Sequence, residues 1–96
     1  MPSYRVRAAI GALRAGVDAP EVLPAAAAAA RARATVEADD VGLVAGVPYV
    51  TVRFTAADDG EALAVAAAVL AALLSCAEVG STTVDRRAGA RWRTVR

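Results

Sequence analysis

The sequence of 96 residues predicts a small α+β domain in which strands and helices alternate along the chain. Apolar and polar residues alternate over 4–12 and 49–54, with the period of a half-buried strand. Alanine-rich stretches follow these strands, and alanine has the highest intrinsic helix propensity. With 57% hydrophobic and 22% charged residues, the chain has enough apolar groups to fold around a core.

The first half of the chain is predicted to contain a helix between two strands. Asp18 is the predicted capping residue of this helix, with Glu21 three positions later. Because Pro24 would remove a hydrogen bond from a helix interior, the continuous helix either follows a short turn or begins near Pro24. It should then continue through the six consecutive alanines at 25–30. Strand two is expected at 35–39.

The second half of the chain repeats the order of strand, helix and strand. A turn region is predicted over 40–48, where glycine and proline residues recur, and strand three follows at 49–54. Asp58 has the position of a second helix cap, and this second helix is expected to continue to about Ala77. Strand four is predicted at 81–87.

Two strand-helix-strand halves in tandem predict a single domain over 1–96 with the order βαββαβ. Right-handed crossovers place both helices on one face of a four-stranded antiparallel sheet, which is a ferredoxin-like sandwich. After a turn at Ala88 and Gly89, residues 90–96 are expected to form an extra C-terminal strand or an ordered tail.

The charge and residue types of the chain limit its chemistry. A net charge of +1 is too balanced for a general polyanion binder, and the absence of His and Lys removes the usual general bases. The pairs Asp39-Asp40 and Asp58-Asp59 are better explained as a strand end and a helix cap than as metal ligands. We therefore expect no cofactor, no metal site and no catalytic residue.

The cysteine content and the longest apolar stretch bear on the compartment. Cys76 is the single cysteine, so no intramolecular disulfide can form, and a reducing cytoplasmic setting is expected. Nothing near the N-terminus has the pattern of a signal peptide. The longest apolar stretch, 62–77, is shorter than the roughly 20 residues that a membrane span needs, so no membrane association is expected.

The second predicted helix is apolar on two faces. One broad stripe is expected to lie on the sheet and consists of Leu63, Ala66, Ala67, Leu70, Leu73, Leu74 and Ala77. The opposite face is formed by Val65, Val69, Ala72 and Cys76. Since so short a chain has no further layer to cover that face, we expect a homodimer with these four residues at its interface. The alternative is that small Ala and Val side chains are tolerated in water.

Arginine and aromatic residues are concentrated near the C-terminus and on the predicted open face of the sheet. Interleaved Arg and aromatic side chains can contact phosphates and stack on bases. The candidate nucleic-acid face consists of Arg5, Arg7, Tyr49, Arg53, Arg87, Arg91, Trp92 and Arg93. The alternative is an edge strand kept soluble by arginines that pair with Glu37, Asp39 and Asp85.

These observations favour a small non-enzymatic domain that forms homo-oligomers and serves as an interaction module or binds a small ligand. Nucleic-acid binding through the open sheet face is one alternative. An enzyme of the dimeric α+β barrel type, which shares the predicted fold, is another, although no group of residues in the sequence identifies a reaction.

Overall fold

Five strands form one antiparallel sheet, and two α-helices pack against it in an α+β fold; the computed structural model describes residues 1–96. The strands are β1 (Ser3–Leu13), β2 (Val36–Val44), β3 (Val47–Thr55), β4 (Ala77–Ala88) and β5 (Arg91–Thr94). The helices are α1 (Val22–Arg31), preceded by a 3-10 turn at Ala19–Glu21, and α2 (Asp59–Cys76). The fifth strand lies within the segment for which an extra strand or an ordered tail was predicted.

The sheet has the strand order β2-β3-β1-β4-β5, with β1 in the centre. Alternate residues of β1 from Tyr4 to Ile10 and of β3 from Val50 to Phe54 are buried beneath the helices, because side chains alternate between the two faces of a strand. The resulting core is built mainly from Ala and Val, and Tyr4, Phe54 and Leu73 are its largest fully buried side chains. The other face of the sheet is left without a covering layer.

The connection between β2 and β3 differs from the predicted turn region. The turn is confined to Ala45 and Gly46, whose φ angles of 51° and 80° are both positive. Two such residues suffice for a tight hairpin, since their twist matches that of the flanking strands. β2 therefore continues through most of the predicted turn and pairs with β3 as far as Val44 opposite Val47. Gly42 lies in the ladder opposite Tyr49 rather than in a loop.

The two helices begin in different ways. Asp58 caps α2 as predicted, because its Oδ1 accepts a hydrogen bond of 2.8 Å from the backbone N–H of Glu61. The predicted cap at Asp18 is wrong, since its side chain makes no capping hydrogen bond and a 3-10 turn follows it. α1 begins at Val22, so Pro24 lies in its first turn, where a backbone N–H has no helical partner to lose.

α2 is rotated about its axis by about a quarter turn from the predicted orientation. Its buried residues are Ala62, Val65, Ala66, Val69, Leu73 and Cys76. The prediction that Val65, Val69, Ala72 and Cys76 face a partner is therefore wrong for three of the four: Val65 and Val69 are each 1% exposed inside the core, and Cys76 is also buried, whereas Ala72 is half-buried. In the stripe predicted to lie on the sheet, Ala66, Leu73 and Ala77 are buried as expected, whereas Leu63 and Leu70 are half-buried and Leu74 is 44% exposed.

The small side chains of both helices account for this rotation. α1 contributes Ala26 and Ala30 to the same core cluster that holds Val65 and Val69, so the two helices pack through short side chains. Leucines at these positions would overfill so thin a core, whereas short valines fill it without strain. Leu73 is the one leucine of α2 inside this core, and Leu63, Leu70 and Leu74 lie towards the outer side of the helix.

α2 leads directly into β4, which begins at Ala77, four residues earlier than predicted. By length and composition, α2 could cross a membrane. Six of its residues nevertheless lie in the core against the sheet, which is the position of a core helix in a soluble domain.

Candidate functional site

The uncovered face of the sheet, called the open face below, collects six of the eight residues of the candidate nucleic-acid face. These six are Arg5, Arg7, Tyr49, Arg53, Arg87 and Trp92. The strand registers bring them together, because Arg5 is the cross-strand partner of Arg53 and Arg87 is that of Trp92. Residues far apart in the sequence thus form one surface.

Arg91 and Arg93 do not belong to the open face. They flank Trp92 in β5, and successive residues of a strand point to opposite faces. Arg93 pairs in register with Arg86, whose side chain reaches Asp59 at the start of α2 on the helical side. The inclusion of Arg91 and Arg93 in the candidate face is therefore wrong.

Trp92 lies among three arginines of the open face. The guanidinium carbons of Arg5, Arg53 and Arg87 are 4.5, 5.4 and 6.0 Å from the centre of its ring. Arg7 lies similarly over Tyr49, at 5.5 Å. These distances are those of cation–π contacts, so the aromatic rings already interact with arginines of the same chain.

Carboxylates neutralise much of the positive charge on the open face. Arg5 Nε donates to Asp85 Oδ2 at 2.9 Å, and Asp85 is buried. Arg53 Nε is 3.3 Å from Glu37 Oε1, although its N–H is not aligned with that oxygen and has no hydrogen-bond acceptor. Asp39, which pairs with Arg31 on α1, also lines the shallow cavity of about 200 Å³ beside Trp92. The face is thus of mixed charge.

A second polar cluster joins β1, α2 and β4 on the helical side of the sheet. The hydroxyl of Tyr4 donates to Asp59 Oδ1 at 2.7 Å, and Arg86 Nη1 donates to the same oxygen at 3.2 Å. Hydrogen bonds from Tyr4 and Arg86 lower the pKa of Asp59, whereas burial and the bond to Asp59 raise the pKa of Tyr4. Tyr4 is fully buried, and these hydrogen bonds connect β1 and β4 to the first turn of α2.

The outer side of α2 forms a continuous apolar surface with β4, called the α2–β4 surface below. Leu63, Ala67, Leu70 and Leu74 follow one another along the helix at spacings of four, three and four residues. A groove of about 290 Å³ runs between helix and strand, lined by Leu63, Ala66, Ala67, Leu70, Thr82, Val84 and Arg96. The uncovered helix face expected from the sequence is therefore present, but other residues form it.

A second apolar patch lies at the end of the β2–β3 hairpin. Leu43 is 74% exposed, and Val41, Val44 and Val47 are exposed beside it. A groove of about 250 Å³ separates this hairpin from the end of β1 and the start of α1. This patch was not predicted from the sequence, because residues 40–48 were assigned to a turn region.

Neither the arrangement of ionisable groups nor the comparisons with other proteins identify a reaction. No three His, Cys, Asp or Glu side chains are grouped so that they could hold a metal ion. No protein family, curated protein or solved structure matches this chain. Its function must therefore be argued from its own surfaces.

Proposed function

We propose that this domain is a small non-enzymatic interaction domain that functions as a homodimer, with the α2–β4 surface as its interface. The observation that carries the proposal is the uncovered leucine stripe of α2, formed by Leu63, Leu70 and Leu74 beside an apolar groove. Each leucine side chain that becomes fully buried contributes about 1.5–3 kcal/mol. Partial burial of three leucines on each copy would therefore contribute substantially to association.

The proposal includes a ferredoxin-like topology. The order β2-β3-β1-β4 supports it, because the first and third strands are central and the second and fourth flank them. β5 then extends the sheet as a hairpin partner of β4. A sheet of this kind has one layer of helices, and a second copy of the chain would bury the outer side of that layer.

A second copy offers a matching surface as the partner. A two-fold axis would bring the leucine stripe and the apolar groove of one copy against those of the other, so the surface is used twice in the same contact.

The mass of the protein in solution tests the proposal. We expect size-exclusion chromatography with light scattering to give twice the 9.7 kDa mass of the chain at micromolar concentration. The variant Leu70→Glu should weaken association by ~100-fold or more, because a carboxylate would be buried in an apolar interface. Circular dichroism should show that this variant keeps its fold.

Leu43→Glu is the matched control, since it places the same charge on the hairpin patch. It should leave the dimer intact. A monomeric wild type, or a dimer that Leu43→Glu disrupts while Leu70→Glu does not, would contradict the proposed interface.

Binding of single-stranded nucleic acid at the open face is a second candidate function. The grouping of Trp92 with Arg5, Arg53 and Arg87 favours it, and Trp92 is the single tryptophan of the chain. The neutralising carboxylates weigh against it. The same charged face weighs against a barrel-type enzyme, in which two such faces would be buried together.

Fluorescence of Trp92 tests this candidate directly. Stacked bases should quench it, and the affinity should fall steeply with salt because phosphate contacts release counterions. Unchanged fluorescence with single-stranded RNA and DNA at low salt would rule out binding at this tryptophan.

A further inference from the structure

The sheet has three stretches of edge without a neighbouring strand, and they differ in charge. The outer edge of β2 carries Glu37, Asp39 and Asp40, and β5 carries Arg91 and Arg93. Charged side chains on an edge strand prevent other strands from pairing with it. The third stretch, residues 77–83 of β4, carries one charge, Glu78, and no proline. Residues 41–44 of the β2 edge are also uncharged, but only the β4 stretch lies beside the leucine stripe of α2.

The pairing of β5 with β4 reaches as far as a bulge at Val84 and does not include residues 77–83. The strands pair from Ala88 opposite Arg91 to Asp85 opposite Thr94. Beyond this point, the N–H groups of Val95 and Arg96 both donate to the carbonyl oxygen of Val84, and the N–H of Val84 donates to Arg96. Val95 and Arg96 thus lie opposite the single residue Val84, which is the pattern of a β-bulge. No strand pairs with the outer side of β4 before Val84.

We infer that the open edge of β4 pairs with the same edge of a second copy, so that the two sheets join across a two-fold axis. This inference rests on the proposed homodimer and specifies how its two copies meet. Residues 77–83 of the two copies would be antiparallel, with the register shift of β4 near the axis, so that Val79 of one copy lies opposite Thr82 of the other. The two Glu78 carboxylates would then lie on opposite sides of the axis.

The same two-fold rotation would bury the leucines of α2. α2 ends at Cys76 and β4 begins at Ala77, so the helix and the open edge lie side by side without a loop between them. The groove between them is lined by Leu63 and Leu70 from the helix and by Thr82 and Val84 from the strand. A copy that pairs with the edge of β4 would therefore also contact the leucine stripe. A single interface would cover both the strand edge and the leucines.

The backbone of Thr82 is the specific feature that strand pairing would change. Hydrogen-bonding directions alternate along an antiparallel strand, and Val84 bonds outward to Arg96. Thr82, two residues earlier and in regular register with Ala8, therefore also directs its N–H and C=O outward. In a single copy these groups face solvent, whereas in the joined sheet they would be hydrogen-bonded.

Nuclear magnetic resonance on the wild-type protein tests this pairing. In the dimer, we expect the Thr82 amide to exchange with solvent at least ~10-fold more slowly than in the folded Leu70→Glu variant. A mixed sample of labelled and unlabelled chains should show contacts between residues 77–83 of different copies.

A dimer with a fast-exchanging Thr82 amide and no contacts between these segments would overturn the inference while leaving the homodimer intact. A monomeric wild type would overturn both. These two failures are thus distinguishable.

Proline substitutions provide a second, independent measurement. Thr82→Pro removes the outward N–H without removing a bond to β1, and it should shift the protein to monomer. Thr94→Pro is the matched control, since by the same alternation its N–H faces away from β4 on the outer edge of β5. A Thr82→Pro dimer as tight as the wild type would contradict the pairing. If circular dichroism shows that Thr82→Pro does not fold, the exchange measurement decides.

Discussion

Replacing Val69 by Asp is expected to leave the chain largely unfolded. Val69 is 1% exposed in the core between the two helices and the sheet. The new carboxylate would therefore be neither hydrated nor paired with a cationic side chain. Burying an unpaired charge costs several kcal/mol, and a domain of this size has a total stability of about 5–10 kcal/mol. Far-ultraviolet circular dichroism with urea titration measures the loss.

The adjacent variant Leu70→Asp is the control for Val69→Asp. It has the same change in helix propensity and charge, but its side chain lies on the outer side of α2. It should remain folded as a monomer, because only the proposed dimer interface is affected. The opposite result, a folded Val69→Asp and an unfolded Leu70→Asp, would contradict the observed orientation of the helix.

Replacing Phe54 by Ala is expected to have the second-largest effect, a loss of about 3–5 kcal/mol in the free energy of unfolding. Phe54 is fully buried, and its ring stacks at 6.0 Å from that of Tyr4. The surrounding core consists mainly of short side chains, which cannot reach into the space that a deleted ring would leave.

Urea denaturation of Phe54→Ala and Phe54→Leu measures this effect. The leucine variant should lose much less stability, because it fills most of the cavity. Equal and small losses for both variants would show that the core around Phe54 can collapse, contrary to the expectation.

Several elements could be predicted from local patterns. The alternation in β1 and β3 has one buried face in the structure, as expected, because a period of two cannot be satisfied by a helix. The cap at Asp58 was also predictable, since Asp three residues before Glu forms a local hydrogen bond that needs no tertiary contact. The same pattern failed at Asp18, where the two prolines favour a 3-10 turn and displace the helix start.

The extent of β2 could not be predicted in the same way. Gly42 within β2 is a residue typical of loops, and only the pairing of β2 with β3 places it in a strand. The open face was predictable in part. The residues of β1, β3 and β4 follow from alternation and strand order, but Arg91 and Arg93 were assigned by their proximity to Trp92 in the sequence, which ignores the same alternation.

By itself, the sequence determined the α+β class, the number of helices and the alternating faces of the central strands. It also determined that one helix has an apolar face that no further layer of the chain covers. The tertiary structure alone decided which side of that helix is covered. The periodicity of apolar residues shows which residues share a face of a helix. When every face is apolar, it cannot show which face is buried. The thin core, in which α1 contributes alanines, encloses Val65 and Val69, whereas the longer Leu63 and Leu70 are only half-buried and Leu74 is exposed.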